Sequence, residues 1–246
     1  MDIGSLIGIT VAVLSVLFGF YMEGGSLGIL LQPSGFLIVC GGTIGAVLLQ
    51  TDIRVFLRGV GMLKKVFIPP DQDLIPMIDD IMKWVQISRK DGLLRLEHIE
   101  QETDDDFIKR GLNLLIDGTP HDKLKEILEI ELSTFEEAER QAIKIWEAAA
   151  GYSPTLGILG AVLGLTHVME SLSDPSKIGS GIATAFISTV YGVALANLLF
   201  LPVSNKLKTI STQEVGRREM LADAFFAIAV GENRTVIKDR MDSYVS

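Results

Sequence analysis

One cysteine, Cys40, stands in the whole chain, so no intrachain disulfide can form. Three histidines are present (His98, His121 and His167), scattered and without metal-ligand spacing. The phosphate-cradling G-x-x-x-x-G-K-[ST] pattern and the zinc-binding H-E-x-x-H pattern are both missing. No catalytic residue, cofactor or metal is therefore expected, and the chain does not read as an enzyme.

Charge is also lacking, but only locally. Charged residues make up 22% of the chain and hydrophobic residues 48%, yet the two are segregated. Residues 3–22, 33–51, 155–169 and 178–203 contain no Asp, Glu, Lys or Arg. Runs of roughly 17–25 apolar residues match the ~30 Å hydrocarbon core of a bilayer as helices. Four transmembrane helices are expected, the third being marginal because His167 and Glu170 stand at its outer end. A buried packing position within span two suits Cys40.

Positive charge fixes the expected orientation. Of 22 Lys and Arg residues, 14 lie between 53 and 150 and seven after 204, and only Lys177 lies in a short loop. Cytoplasmic segments carry such an excess. Both termini and the block 53–150 are thus expected in the cytoplasm, with short outer loops at 23–32 and 171–177. The first span is flanked by acidic Asp2 and followed by no A-x-A-like site, so it does not read as a signal peptide.

The expected organisation is a transmembrane hairpin (1–52), a cytoplasmic helical domain (53–150), a second transmembrane hairpin (151–204) and a cytoplasmic helical tail (205–246). Thr119-Pro120-His121-Asp122 opens a helix with an N-cap, a first-turn proline and an acid. No breaker follows until Gly151 and Pro154, so this helix reads as a stalk entering the membrane. Helical patterns are also expected over 74–90 and 93–102, broken by Asp91-Gly92, with Asp117-Gly118 ending another. The tail reads as a helix over 205–230, a Gly-Glu-Asn turn and a short final helix. The block 53–150 holds 14 basic and 20 acidic residues. That mixture suits a solvated surface or docking to a charged protein, and argues against nucleic acid, which selects a net basic face.

Ion-moving membrane proteins keep an acid or histidine deep in the bilayer despite its cost. No carboxylate stands within these spans. The chain is either a passive scaffold or the wall around an acid supplied by another subunit. Gly157, Gly160 and Gly164 leave one face of span three nearly bare, which permits close approach of another helix or ordinary packing within the chain. Span four carries Thr184, Ser188, Thr189 and Asn197, whose polar groups line a pathway or bond the preceding turn.

The segments PTLGILGAVLGLTHVM, DPSKIGSGIA and STVYGVALANLLFLPVSNKL occur in the order found in the A subunit of the bacterial flagellar stator, the MotA/PomA family. GFLIVCGGTIGAVLLQ, SRKDGLLRLE and KRGLNLLIDG extend the resemblance over nearly the whole chain. EGGSLGILLQPSG and GSGIA make it most similar to the variant called MotC. The resemblance implies a homopentamer around two copies of a B subunit of the MotB/PomB type, each with a single membrane helix bearing an aspartate. Ion flow, here expected to be of protons, would turn the ring against the rotor protein FliG.

By the same resemblance, Pro154 and Pro202 match prolines that couple ion passage to movement, and Thr189 matches a hydroxyl on the ion pathway. Ala161 stands where sodium-type members place a threonine. Gly157, Gly160 and Gly164 would pack the partner helix. Arg89 and Glu97 match the charged pair that contacts FliG, with Lys90 and Glu100 as auxiliaries. Read from the residues alone, Pro154 also suits a helix start and Pro202 a kink. Two other readings stand beside this one: an ExbB/TolQ-type energiser of outer-membrane processes, and a non-conducting membrane scaffold.

Overall fold

The computed structural model describes residues 2–70, 73–170 and 175–245, and of 175–177 the backbone alone. All regular structure among them is helical, in agreement with the all-α expectation. The outer loop expected at 171–177 lies in its first part outside the described residues, as does the side chain of Lys177; from Pro175 the backbone is already helical.

Among the described residues, four helical stretches are long and apolar enough to cross a membrane. α1 (Ile3–Met22) has no buried residue, the condition of a helix whose solvent is lipid. α2 (33–50) contains a π-helical turn over Leu37–Gly41 between two α-helical parts. Two short helices follow, α3 (Ile53–Gly61) and α4 (Leu63–Phe67), then α5 (Leu74–Lys90). A 3₁₀ turn (Leu93–Leu96) leads into α6 (Glu97–Glu102), and α7 spans Asp106–Ile116. α8 (His121–Glu170) is a single helix of 50 residues whose apolar end is span three. α9 (175–230) holds span four and the tail helix, with a second π-helical turn at Ala196–Phe200. α10 (Arg234–Asp242) closes the described chain.

Local chemistry places these boundaries. Asp52, Asp73, Asp105 and Asn233 accept hydrogen bonds from orphan backbone N–H groups at the starts of α3, α5, α7 and α10. Gly92 (φ 86°) and Gly231 (φ 76°) sit in the left-handed region where the preceding helices end.

The chain divides into two compact units. One comprises Met1–Pro69 with Glu139–Thr209 and the other Pro70–Ala138 with Ile210–Ser246, so the division falls within α8 and α9. The composition boundaries at 52/53 and 150/151 lie elsewhere, because α3 and α4 pack with the spans. Met62 and Val66 join Ala142, Ile143, Val203 and Leu207 in one apolar cluster. Gly59 lies close against the Ala142 carbonyl, and the Trp146 indole N–H donates to the Gly59 carbonyl at 3.0 Å. Glu139, its side chain only 4% exposed, is held between Arg58 (2.9 Å) and Lys65 (3.2 Å). A buried carboxylate persists when paired in this way.

The second unit has the larger apolar core, built on Ile81, Leu96, Phe107, Leu112, Leu124, Leu221 and Phe225. The Trp84 and Phe225 rings stack with centroids 5.8 Å apart, and Gly111 makes room for the Phe225 edge.

Candidate functional site

Spans three and four meet along the glycine face of span three. A methyl group on Gly157 would stand 2.9 Å from the Ser188 carbonyl oxygen, and one on Gly160 2.7 Å from Ser188 Cβ. At Gly164 it would stand 2.8 Å from the Ala185 nitrogen. From the other side Gly181 and Gly192 lie equally close, and the buried Ser153 hydroxyl donates to the Gly192 carbonyl at 3.1 Å. Between lipid-solvated helices, such close backbone contact supplies the packing that holds a pair together. Gly157, Gly160 and Gly164, expected to pack a partner helix, are buried here against span four of the same chain. The remaining faces are apolar and open, through Ile158, Leu159, Val162 and Leu163 on α8 and Phe186, Val190 and Val193 on α9.

The polar line of span four is largely satisfied within its own helix. Thr184 donates to Ser180 O at 3.0 Å, Ser188 to Thr184 O at 2.6 Å and Asn197 to Val193 O at 2.9 Å. Thr189 is half-buried and its hydroxyl reaches Ala185 O at 3.4 Å, the longest of the set and the weakest tether. Ala161, half-buried, stands between the packed Gly160 and Gly164. Sequence reasoning missed a second polar contact. The Tyr191 hydroxyl donates to the Leu30 carbonyl and accepts from the Gln32 N–H at 3.1 Å, while Gln32 Oε1 lies 3.4 Å from Thr184 Oγ1. An isolated tyrosine in an apolar run carries no sequence signal of this kind.

The two prolines differ. Pro154 sits inside α8 and starts no helix, which corrects the helix-start reading; it lies beside Gly192, where a methyl group would come within 3.1 Å of Pro154 Cα. Pro202 stands two residues after the end of the π-helical turn Ala196–Phe200. Proline lacks the N–H that would serve the carbonyl four residues back, and a π-helical turn is a common accommodation of such a defect. Pro202 is exposed and lines a cavity of about 320 Å³ shared with Ser5, Gly8, Phe67, Asn197 and Lys206. The Asp2 carboxylate caps α1, accepts from Ser5 and pairs with Lys206 at 2.6 Å; the hydrogen bonds from Lys206 and Ser5 hold it down at about 2.

In the other unit, α5 ends before the turn at Gly92, and the 3₁₀ turn Leu93–Leu96 leads on into α6. Arg89, Lys90 and Glu97 are exposed, and Glu100 is half-buried and accepts from Asn113 at 3.2 Å. Arg89 also donates to the Glu232 carbonyl at 2.9 Å and to that of Gly231 at 3.3 Å, so the guanidinium is held rather than free. The 231–232 turn is also held by Arg240, which pairs with Glu232 (2.8 Å) and Asp223 (3.1 Å). Among the described residues no group of three or more His, Cys, Asp or Glu side chains is arranged to hold a metal.

Known proteins share this arrangement over its full length. Residues 6–90 match the motility protein A N-terminal family, and residues 99–220 the MotA/TolQ/ExbB proton channel family. Motility protein A of Bacillus subtilis is 32% identical, the match covering 100% of this chain and 91% of the relative. The chain belongs to the motility protein A family. Chemotaxis protein PomA of Vibrio alginolyticus is 29% identical over 100% of this chain and 96% of its own. Among solved structures, a chain of C. jejuni MotAB superposes with a TM-score of 0.93 at 30% identity, covering 100% of this chain and 96% of that one. A chain of the flagellar MotAB stator complex from Bacillus subtilis gives 0.86 at 31%, with 98% and 95% covered. The match at 6–90 separates the chain from the ExbB/TolQ branch. As a family member it is a multi-pass membrane stator subunit of the flagellar motor and not an enzyme.

Proposed function

We propose that this chain forms, with a B-type subunit whose single membrane helix bears an aspartate, a proton-conducting stator that turns the flagellar rotor. The supporting observation is a pairing of two facts. The chain corresponds over its whole length to chains of two MotAB complexes, yet its spans contain no carboxylate. A titratable group must then come from the partner, since a proton route through lipid depends on one. In this reading five copies surround two partner helices in the inner membrane, with both termini and the segment between spans two and three in the cytoplasm.

The wall residues have distinct roles. Thr189 offers a weakly tethered hydroxyl to the pathway, and Ala161 leaves a methyl group where a sodium site would want another oxygen. Sodium sheds water only for several oxygen ligands, whereas a proton needs a titratable acid and a water chain. Pro154 and Pro202 serve as the points where span movement is transmitted. Arg89 and Glu97, with Lys90 and Glu100 beside them, are the surface that meets FliG. Co-expression with a B-type subunit tests the assembly. A stable complex that conducts protons only while the partner's membrane aspartate is intact supports the reading; a chain that conducts alone, or never retains the partner, refutes it.

A further inference from the structure

The segment after span two carries an opposite charge balance to the chain around it. The net charge of the chain is −9, yet residues 52–69 hold Arg54, Arg58, Lys64 and Lys65 against the single acid Asp52. α3 presents two apolar faces. Gly59 on one, continued by Met62 and Val66, is buried within its unit. Ile53, Leu57 and Val60, at the i, i+4, i+7 spacing of one helix face, remain 56%, 62% and 42% exposed. This second stripe begins three residues after Gln50, the end of the apolar helix, and next to Leu49, which is 91% exposed. It thus continues the lipid-facing surface of span two.

The cations divide in the same way. Arg58 and Lys65 share the single carboxylate of Glu139, whereas Arg54 and Lys64 are exposed and have no ion pair among the described residues. An apolar stripe at the membrane edge flanked by unpaired cations matches a helix lying in the interface against anionic lipid. We propose that α3 and α4 form a binding surface for anionic phospholipid headgroups. Ile53, Leu57 and Val60 enter the acyl boundary, and Arg54 and Lys64 take the phosphates. Glu139 keeps the other two cations on the protein and so fixes the segment's roll. The inference is independent of which ion the stator conducts.

Lipid selectivity of the full-length chain in its membrane complex tests it. The complex is reconstituted in phosphatidylcholine vesicles containing a minor share of phosphatidylglycerol, and the lipid retained on extraction is quantified. The wild type is expected to enrich phosphatidylglycerol over the bulk by roughly fivefold per unpaired cation, with the enrichment falling as salt is raised. Arg54→Gln with Lys64→Gln returns the retained lipid to the bulk ratio, while Arg54→Lys keeps most of the enrichment because the charge is preserved. Retained lipid at the bulk ratio in the wild type, enrichment insensitive to salt, or undiminished enrichment in the double variant overturns the proposal. The wild-type and salt measurements decide the matter even if the double variant fails to insert.

Discussion

Gly157 lies so close to Ser188 that its missing Cβ would stand 2.9 Å from the Ser188 carbonyl oxygen. Spans three and four therefore cannot accept a larger residue there without separating. Gly157→Val is expected to cost about 1–3 kcal/mol through overpacking and to abolish motility. Gly151, six residues earlier on α8, has nothing within 4 Å of an added methyl group. Gly151→Ala is expected to gain up to about 1 kcal/mol from helix propensity. Thermal unfolding of the two variants in detergent should move in opposite directions; equal shifts would show that the glycine contact is not close-packed.

Arg217 ties α9 to α7 by pairing with Asp105, while also pairing with Glu214 at 3.1 Å. Burial pushes the Asp105 and Glu214 carboxyls up, but the hydrogen bonds from Arg217, joined at Glu214 by Arg218, outweigh it and leave both below their ordinary values. Groups depressed on folding stabilise the fold above their unfolded values, 3.8 and 4.5 here, and that stability is lost as pH falls through the folded values. Arg217→Met should cost about 2 kcal/mol at neutral pH, less than a fully buried pair because these groups are partly exposed. It should also flatten the loss of stability below about pH 4.5. Melting curves of the purified chain against pH check both; an unchanged acid limb would remove the pair from the account.

Arg89 is both a surface charge and a clamp on the 231–232 turn. Exposed charges contribute little to static stability but steer encounter and register. The double reversal Arg89→Glu with Glu97→Lys should abolish swimming while reducing insertion and yield far less, the loss there being that of the clamp on the 231–232 turn. Complementary reversals in the rotor should restore swimming. Normal swimming by the reversed chain would take these residues out of rotor contact.

Much of this was readable from residue chemistry. The charge-free runs mark the spans, and Asp-Gly and Gly-Glu-Asn mark the breaks after α5, α7 and α9 because a positive φ favours glycine. The partner of the glycine face was not readable: small residues announce close approach without saying which helix approaches. The π-helical turn before Pro202 was legible only as a kink, since proline reports the lost hydrogen bond and not how the helix absorbs it. The one at Leu37–Gly41 has no proline to announce it. Glu139 looked like one acid among many until Arg58 and Lys65, far away in sequence, closed on it.

Pro202 offers a hinge with space beside it, lined also by Lys206, which pairs with Asp2. Restoring an N–H in Pro202→Ala should straighten and stiffen the helix there. The complex is expected to assemble at wild-type levels while torque falls severely. Tethered-cell rotation alongside co-purification of the partner separates the outcomes; lost assembly would make Pro202 a folding residue instead of a mechanical one.

The central claim is that this chain walls a proton path whose acid comes from its partner. Swimming driven by this stator alone, measured while external sodium and proton-motive force are varied independently, tests it most directly. Speed should hold in sodium-free medium and collapse with a protonophore. Speed that tracks external sodium at fixed proton-motive force would contradict it.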